Sequence, residues 1–348
     1  GLRSDMQELL NTLYVQTQGA VLHLDSDTVR VEVGAETKLR APLLRLCAIV
    51  VFGEVTITPA LIRRCAADGR SLVWLTYYGQ FRARVEGPVR GNVLLRQAQH
   101  QALNQAQRTV HIARQIIAAK VQNSRQVVLR AARDSDEASR TPLTKAAATL
   151  AEVLTSLPTM NDLNALRGAE GTAARAYFGV FGHMLRADDP VLRFDGRNRR
   201  PPRDPANAVL SLLYGLLRGD CAAALEGVGL DPQVGYLHAL RSGRPALALD
   251  LMEELRPVLA DRTAITLINR KQLQEKDFQR TPGAGVRLTD DGRKKVLTAY
   301  EERKKDQVQH RVLKQKAPLG LVPHLQARLL ARYLRTDLEA YPPFLFRS

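Results

Sequence analysis

From residue 92 to residue 121 the chain contains neither glycine nor proline and is rich in Ala, Gln, Leu and Arg, which favour the helix. The residues before it follow a different period. Val29, Val31 and Val33 alternate with Arg30 and Glu32, as on a strand with one buried face. Residues 12–16, 20–24, 71–77 and 81–86 read as further strands, punctuated by Gly19, Gly34 and Gly79. Residues 46–52 are a continuous apolar run rich in β-branched side chains, the pattern of a strand buried on both faces. Thr58-Pro59 opens a short helix over 60–67 and Gly69 closes it. Gly87-Pro88 and Gly91 separate the two regimes. The expected architecture has two domains. A small N-terminal antiparallel β domain with one short helix takes residues 1–90, and a large all-α domain takes residues 91–348.

The first long helix is expected to run towards residue 134 with a break near Asn123-Ser124. Further helices are expected at 141–157, 162–185, 207–217 and 245–255. Asp204-Pro205 supplies a cap and a first-turn proline, and Pro257 must disturb or end the last of these helices. The remainder reads as helical and charged to about residue 335, with a loose tail from Tyr341. No apolar run approaches the roughly 18 residues of a membrane span. The N-terminus lacks the basic-then-apolar pattern of a signal peptide. Cys47, Cys65 and Cys221 form no CxxC pair, which indicates neither a disulfide framework nor a cysteine zinc site and suits a cytoplasmic protein.

The formal net charge is +16, and it is unevenly placed. Residues 1–95 carry 11 Lys and Arg against 9 Asp and Glu, whereas residues 96–348 carry 40 against 26. The helical part is therefore the one expected to meet a polyanion, and nucleic acid fits that charge. There is no GxxxxGK[ST] loop, HExxH or GxSxG, which removes support for a nucleotide-hydrolysing motor and the commonest hydrolases.

Chemistry must come from acids and histidines set in apolar helices. Glu170 is flanked by Gly168, Ala169, Gly171, Ala173 and Ala174, small residues that allow close approach of a ligand or another backbone. Ion pairing with Arg167 or Arg175 is the plainer explanation. His238 sits in Val234-Gly-Tyr-Leu-His238. Twelve residues later, Asp250 and Glu253 share a face of an apolar helix and need cations or a metal if buried. Arg256 or Arg262 could pair with them. Carboxylates with one imidazole suit Mg²⁺ or Mn²⁺ better than zinc. Between these segments, Arg193, Arg197, Arg199, Arg200 and Arg203 stand on a Gly/Pro loop, a candidate phosphate clamp or a solvated basic loop.

Three stretches carry a family resemblance: Arg199-Arg-Pro-Pro-Arg-Asp-Pro-Ala-Asn-Ala-Val-Leu-Ser-Leu-Leu-Tyr214, Gly235-Tyr-Leu-His238, and Leu249-Asp-Leu-Met-Glu-Glu-Leu-Arg-Pro257. In these and along the chain from Leu13 onward, the sequence resembles the CRISPR-associated spacer-acquisition integrase, closest to its type I-C branch. The resemblance implies an N-terminal β domain and a helical catalytic domain. It also implies a divalent metal, Mg²⁺ or Mn²⁺, held by Glu170, His238 and Glu253, with Asp250 in support or, as in some branches of the family, as the third ligand in place of Glu253. The implied reaction is attack of the 3′-hydroxyl of an incoming DNA fragment on a phosphodiester of the CRISPR repeat, with endonuclease activity when water attacks. The implied assembly is a homodimer that joins a small ferredoxin-like partner subunit. On this reading Arg197, Arg199, Arg200 and Arg203 contact DNA. Two rivals are a non-catalytic basic DNA-binding scaffold and a metal-dependent nuclease for branched DNA.

Overall fold

The computed structural model describes residues 6–9, 12–77, 81–85, 87, 93–186, 192–198, 201–281, 283 and 285–346. The chain divides into two compact units: Gly1–Arg90 with Leu288–Glu301, and Gly91–Arg287 with Glu302–Ser348. The first unit thus includes residues 288–301, which the sequence pattern had grouped with the helices.

In chain order the first unit contains β1 (Met6–Leu9), β2 (Thr12–Val15), β3 (Ala20–Asp25), β4 (Thr28–Val33), β5 (Glu36–Pro42), β6 (Ala48–Phe52), β7 (Thr56–Ile57), α1 (Pro59–Asp68), β8 (Ser71–Leu75) and β9 (Phe81–Val85). They build a sheet of order β1-β2-β6-β8-β9 and a second of order β5-β4-β3-β7. Both sheets are mixed, which corrects the antiparallel expectation: β6 runs parallel to β2 and β8, and β7 parallel to β3. Parallel neighbours need crossovers, and these are the β3–β5 meander before β6 and α1 before β8. Residues 48–52 of the apolar run are accordingly a central strand. Leu13, Ile49, Val51 and Leu72 of one sheet share a core with Leu22, Val29 and Val31 of the other and with Leu61 of α1. Arg293 is fully buried in this unit, stacked over Phe52 and Tyr77 and donating through Nε to Gln16 Oε1 at 3.1 Å.

The second unit holds α2 (Val93–Leu103), α3 (Ala106–Arg133), α4 (Glu137–Ser156), α5 (Leu163–Gly179), α6 (Phe181–Met184), α7 (Pro205–Gly227), α8 (Ala246–Leu255) and α9 (Arg262–Asn269). After α9 come the hairpin β10 (Phe278–Thr281) with β11 (Gly285–Leu288), α10 (Asp290–Lys305), which begins in the first unit, the hairpin β12 (Gln307–His310) with β13 (Gln315–Pro318), and α11 (Val322–Leu334). The hairpins correct the all-α expectation, because two-residue alternations this short are hidden among charged residues. Helix α3 packs on α4, α5 and α8 and is the spine of the unit.

The expected break at Asn123-Ser124 is absent, and the chain breaks instead at 104–105. Asn123 is fully buried. Its Nδ2 donates to the carbonyls of Glu254 (2.7 Å) and Phe344 (2.9 Å), and its Oδ1 accepts from Phe346 N–H at 2.8 Å. These bonds satisfy an amide that would otherwise compete with the helix. They also strap down the tail: Tyr341 and Phe344 are buried, so the expectation of a loose tail is wrong over 341–346. By length and composition α7 is apolar enough to cross a membrane, which a search for uninterrupted apolar runs overlooks. Of its most apolar window 61% is buried inside the protein, as in a core helix.

Candidate functional site

Four elements of the second unit bring the site together. Helix α8 carries Asp250, Glu253 and Glu254 on an apolar segment, and all three carboxyl groups are buried. Pro257 cannot donate an N–H, and after Leu255 the helix widens into a π-helical turn, Arg256–Asp261, before α9. Helix α5 supplies Glu170, α3 supplies Lys120, and the loop before α8 supplies His238.

Asp250 organises that loop. Its Oδ2 accepts the backbone N–H of Tyr236 (2.6 Å) and Leu237 (3.0 Å), and its Oδ1 accepts the N–H of His238 (2.9 Å). Oδ1 also lies 2.7 Å from His238 Nδ1, which, as donor, fixes the proton on that nitrogen. Gly235 permits the close approach: a Cβ there would stand 2.6 Å from the backbone carbon of Ala246. Arg167 donates to the Leu237 carbonyl at 2.8 Å through Nη2, which pins the loop from the α5 side. His238 Nε2 is left 3.9 Å from Glu253 Oε1, beyond hydrogen-bond distance.

Glu253 is the electrostatic centre. Arg256 Nη1 reaches both its oxygens, at 2.7 and 3.0 Å. Lys120 Nζ lies 2.7 Å from Glu253 Oε2 and also pairs with Glu170 Oε1, so one ammonium joins the two carboxylates. Burial alone would raise the Glu253 carboxyl. Arg256, Lys120 and His238 outweigh burial and hold it well below the usual carboxylate range. The Arg256 guanidinium stacks over the Tyr214 ring at 4.2 Å. Tyr214 and Tyr177 both donate to Asp261, at 2.6 and 2.9 Å. Burial raises the Asp261 carboxyl despite Arg256 and the two phenols.

Of the trio singled out in the sequence, Glu170 and Glu253 share Lys120, and His238 stands beside Glu253. Asp250 lies behind His238 with both oxygens occupied by donors. Among the described residues no group of three or more His, Cys, Asp or Glu side chains is placed to hold a metal ion. The donor set nevertheless fits a hard divalent cation. Two carboxylates are bridged by a positive charge, an imidazole is oriented by a carboxylate on its other nitrogen, and no thiol takes part. A cleft lined by Lys120, Ala173, Ala174, Phe178, Arg256 and Pro257 adjoins the cluster.

The arginine loop behaves differently. Arg197 turns inward: it donates to Asn207 Oδ1 at 2.6 Å and lies over the Tyr214 ring at 5.1 Å. Arg203 is exposed, and Arg199 and Arg200 lie outside the described residues. Lys120, Tyr177, Tyr214 and Asp261 were not singled out in the sequence. Lys120 had a readable signal: residues 87–133 contain no acid, so a lysine in the apolar stretch Ile116–Val121 must find a distant carboxylate if buried.

This site sits in a fold shared with solved casposase and Cas1 structures. A casposase bound to integration product superposes with a TM-score of 0.82 at 24% identity, covering 95% of this chain and 93% of that one. A Cas6-RT-Cas1–Cas2 complex matches with a TM-score of 0.80 at 23% identity, over 98% of this chain and 36% of that chain. These likenesses define the class, a β-sheet unit followed by a mostly helical one. Within it, the chain belongs to the Cas1 family. The family model described as CRISPR associated protein Cas1 matches residues 13–302. The CRISPR-associated endonuclease Cas1 1 of Moorella thermoacetica is 54% identical over 343 residues, covering 98% of this chain and all of the relative.

Proposed function

We propose that this chain is the integrase of CRISPR spacer acquisition, joining the 3′-hydroxyl of a DNA fragment to a repeat phosphodiester, with endonuclease activity when water replaces the hydroxyl. The observation that carries the reading is the bridging of Glu170 and Glu253 by one ammonium beside an imidazole held by Asp250. Relatives named as endonucleases and a casposase caught with its integration product support it.

Mg²⁺ or Mn²⁺ would be held by Glu170, His238 and Glu253, where it supplies charge stabilisation at the phosphoryl oxygens and orients the attacking hydroxyl. Asp250 keeps the proton on His238 Nδ1, so that Nε2 presents a lone pair. Arg256 keeps Glu253 ionised and fixed in direction. The DNA 3′-hydroxyl is the nucleophile, so no serine or cysteine is required. Exposed Arg203, with Arg199 and Arg200, would track the backbone of double-stranded DNA, both the incoming fragment and the repeat. Arg197 would order their loop from inside. The nearly balanced charge of residues 1–95 suits homodimer formation through the β unit, and the matched Cas1–Cas2 complex supports a small ferredoxin-like partner subunit.

The test is strand joining by purified protein with Mn²⁺ or Mg²⁺, a repeat-bearing plasmid and a short duplex with free 3′ ends. Glu170→Ala and His238→Ala should lose at least about 100-fold in rate while remaining folded. Full activity in either variant rejects the metal site. Cutting of branched DNA without joining selects the nuclease reading, and DNA binding without either reaction selects the scaffold.

A further inference from the structure

The hairpin β12–β13 is unused by the chemistry above. Its segment, residues 307–318, contains no acid and carries Arg311, Lys314 and Lys316. A two-stranded hairpin is marginal on its own, so its root must be held. Val308 and His310 face inward and are buried, while Gln307 and Gln309 face out. His310 Nε2 donates to Gln326 Oε1 at 2.9 Å, and its Nδ1 accepts the Leu313 N–H at 3.4 Å, so a single neutral tautomer satisfies both. The His310 ring lies 6.1 Å from that of Phe344, and Gln326 Nε2 donates to the Tyr341 hydroxyl at 2.9 Å and to Glu254 Oε2 at 3.1 Å. The root is thereby tied to α11, α8 and the docked tail.

The tip has the opposite character. Arg311, Val312, Leu313 and Lys314 are all exposed, Val312 to 45% and Leu313 to 38%, and Lys314 closes the turn at φ 51°. Single exposed apolar residues are ordinary. Here two adjacent ones stand on an exposed turn with a cation on each side and a buried, hydrogen-bonded root beneath.

We propose that this hairpin is a DNA wedge: Arg311, Lys314 and Lys316 grip the phosphate backbone while Val312 and Leu313 enter the base stack of a duplex and bend it. Charge selects the occupant, because an acid-free cationic tip complements a polyanion, and apolar side chains inserted at a base step kink duplexes bound by other proteins. A bent target would present its phosphodiester to a recessed site. The proposal rests on the reading of this chain as a DNA-joining protein and goes beyond it by naming a second contact.

The test uses the full chain and a target duplex with 2-aminopurine at successive steps, read by fluorescence, with affinity measured across a salt series. Val312→Ser with Leu313→Ser should cut the unstacking signal at least about fivefold while leaving affinity within about threefold, since phosphate contacts dominate binding. Arg311→Ala with Lys314→Ala should flatten the slope of log affinity against log salt by about 2. Joining by the wild type, with an unstacking signal and salt slope unchanged in both variants, overturns the wedge and leaves the enzymatic reading intact. A wild type that neither binds nor joins DNA overturns both. Variants with unchanged DNA behaviour but a smaller particle by light scattering assign the tip to a protein contact and also overturn the wedge.

Discussion

Replacing Asp250 by asparagine keeps its shape and removes one acceptor oxygen. In the protein each oxygen serves two donors: Oδ2 the N–H groups of Tyr236 and Leu237, and Oδ1 the N–H and ring Nδ1 of His238. Whichever way the amide turns, its NH₂ confronts two donors. Facing Oδ2's partners, it orphans two backbone N–H groups. Facing Oδ1's partners, it orphans one, and the imidazole can adapt only by moving its proton to Nε2. Two bonds to a charged acceptor, at roughly 1.5–3 kcal/mol each, are at stake, partly recovered by relaxation, so the net loss is about 3 kcal/mol. For a domain of this size that lowers Tm by about 6–12 °C. The tautomer matters more for function, since Nε2–H has no lone pair to offer a cation. Mn²⁺ affinity, by calorimetry, and strand joining should each fall by about 100-fold at a temperature where the variant is folded. Wild-type Mn²⁺ affinity and joining in Asp250→Asn would refute the claim that Asp250 sets the histidine proton.

Lys120→Met leaves Glu170 and Glu253 without their shared ammonium and should cost about 3 kcal/mol without metal. Added Mn²⁺ should recover more of that loss in thermal denaturation than it adds to the wild type, and equal metal responses would count against a shared cation site. Burial pushes the Glu254 carboxyl up to about 7, only partly offset by Phe344 N–H, Tyr341 and Gln326. A raised carboxyl contributes its stability below its ordinary value of 4.5 and loses it as pH rises towards 7. Stability should therefore fall by up to about 3 kcal/mol across that window, and Glu254→Gln should flatten this contribution in denaturant titrations. Gly235→Ala places a methyl against the Ala246 backbone and should cost about 1–3 kcal/mol, with a weakened Mn²⁺ response because the His238 loop is displaced.

Local pattern carried the fold where a contact is local. The alternation of Thr28–Val33, the Thr58-Pro59 helix start and the Asp204 cap stand where expected. Features set by tertiary partners did not show. Strand β5 was missed because its edge position leaves Glu36, Thr37 and Arg40 exposed. Asn123 reads as a helix breaker and is instead a buried clasp for the tail. Parallel pairing of β6 is not written in its own residues. The site follows the same rule. Glu170, His238 and Glu253 were visible as acids and an imidazole among apolar neighbours, and the family resemblance selected them. The joining of Glu170 and Glu253 through Lys120 depends on α3, α5 and α8 packing together, which no short window of sequence records.

Diffraction from crystals soaked in Mn²⁺, recorded at a wavelength where manganese scatters anomalously, tests the central claim most directly. The account predicts one peak about 2.1 Å from oxygens of Glu170 and Glu253 and from His238 Nε2, with the Lys120 ammonium displaced. An anomalous map without density there, with Lys120 still joining the two carboxylates, would contradict it.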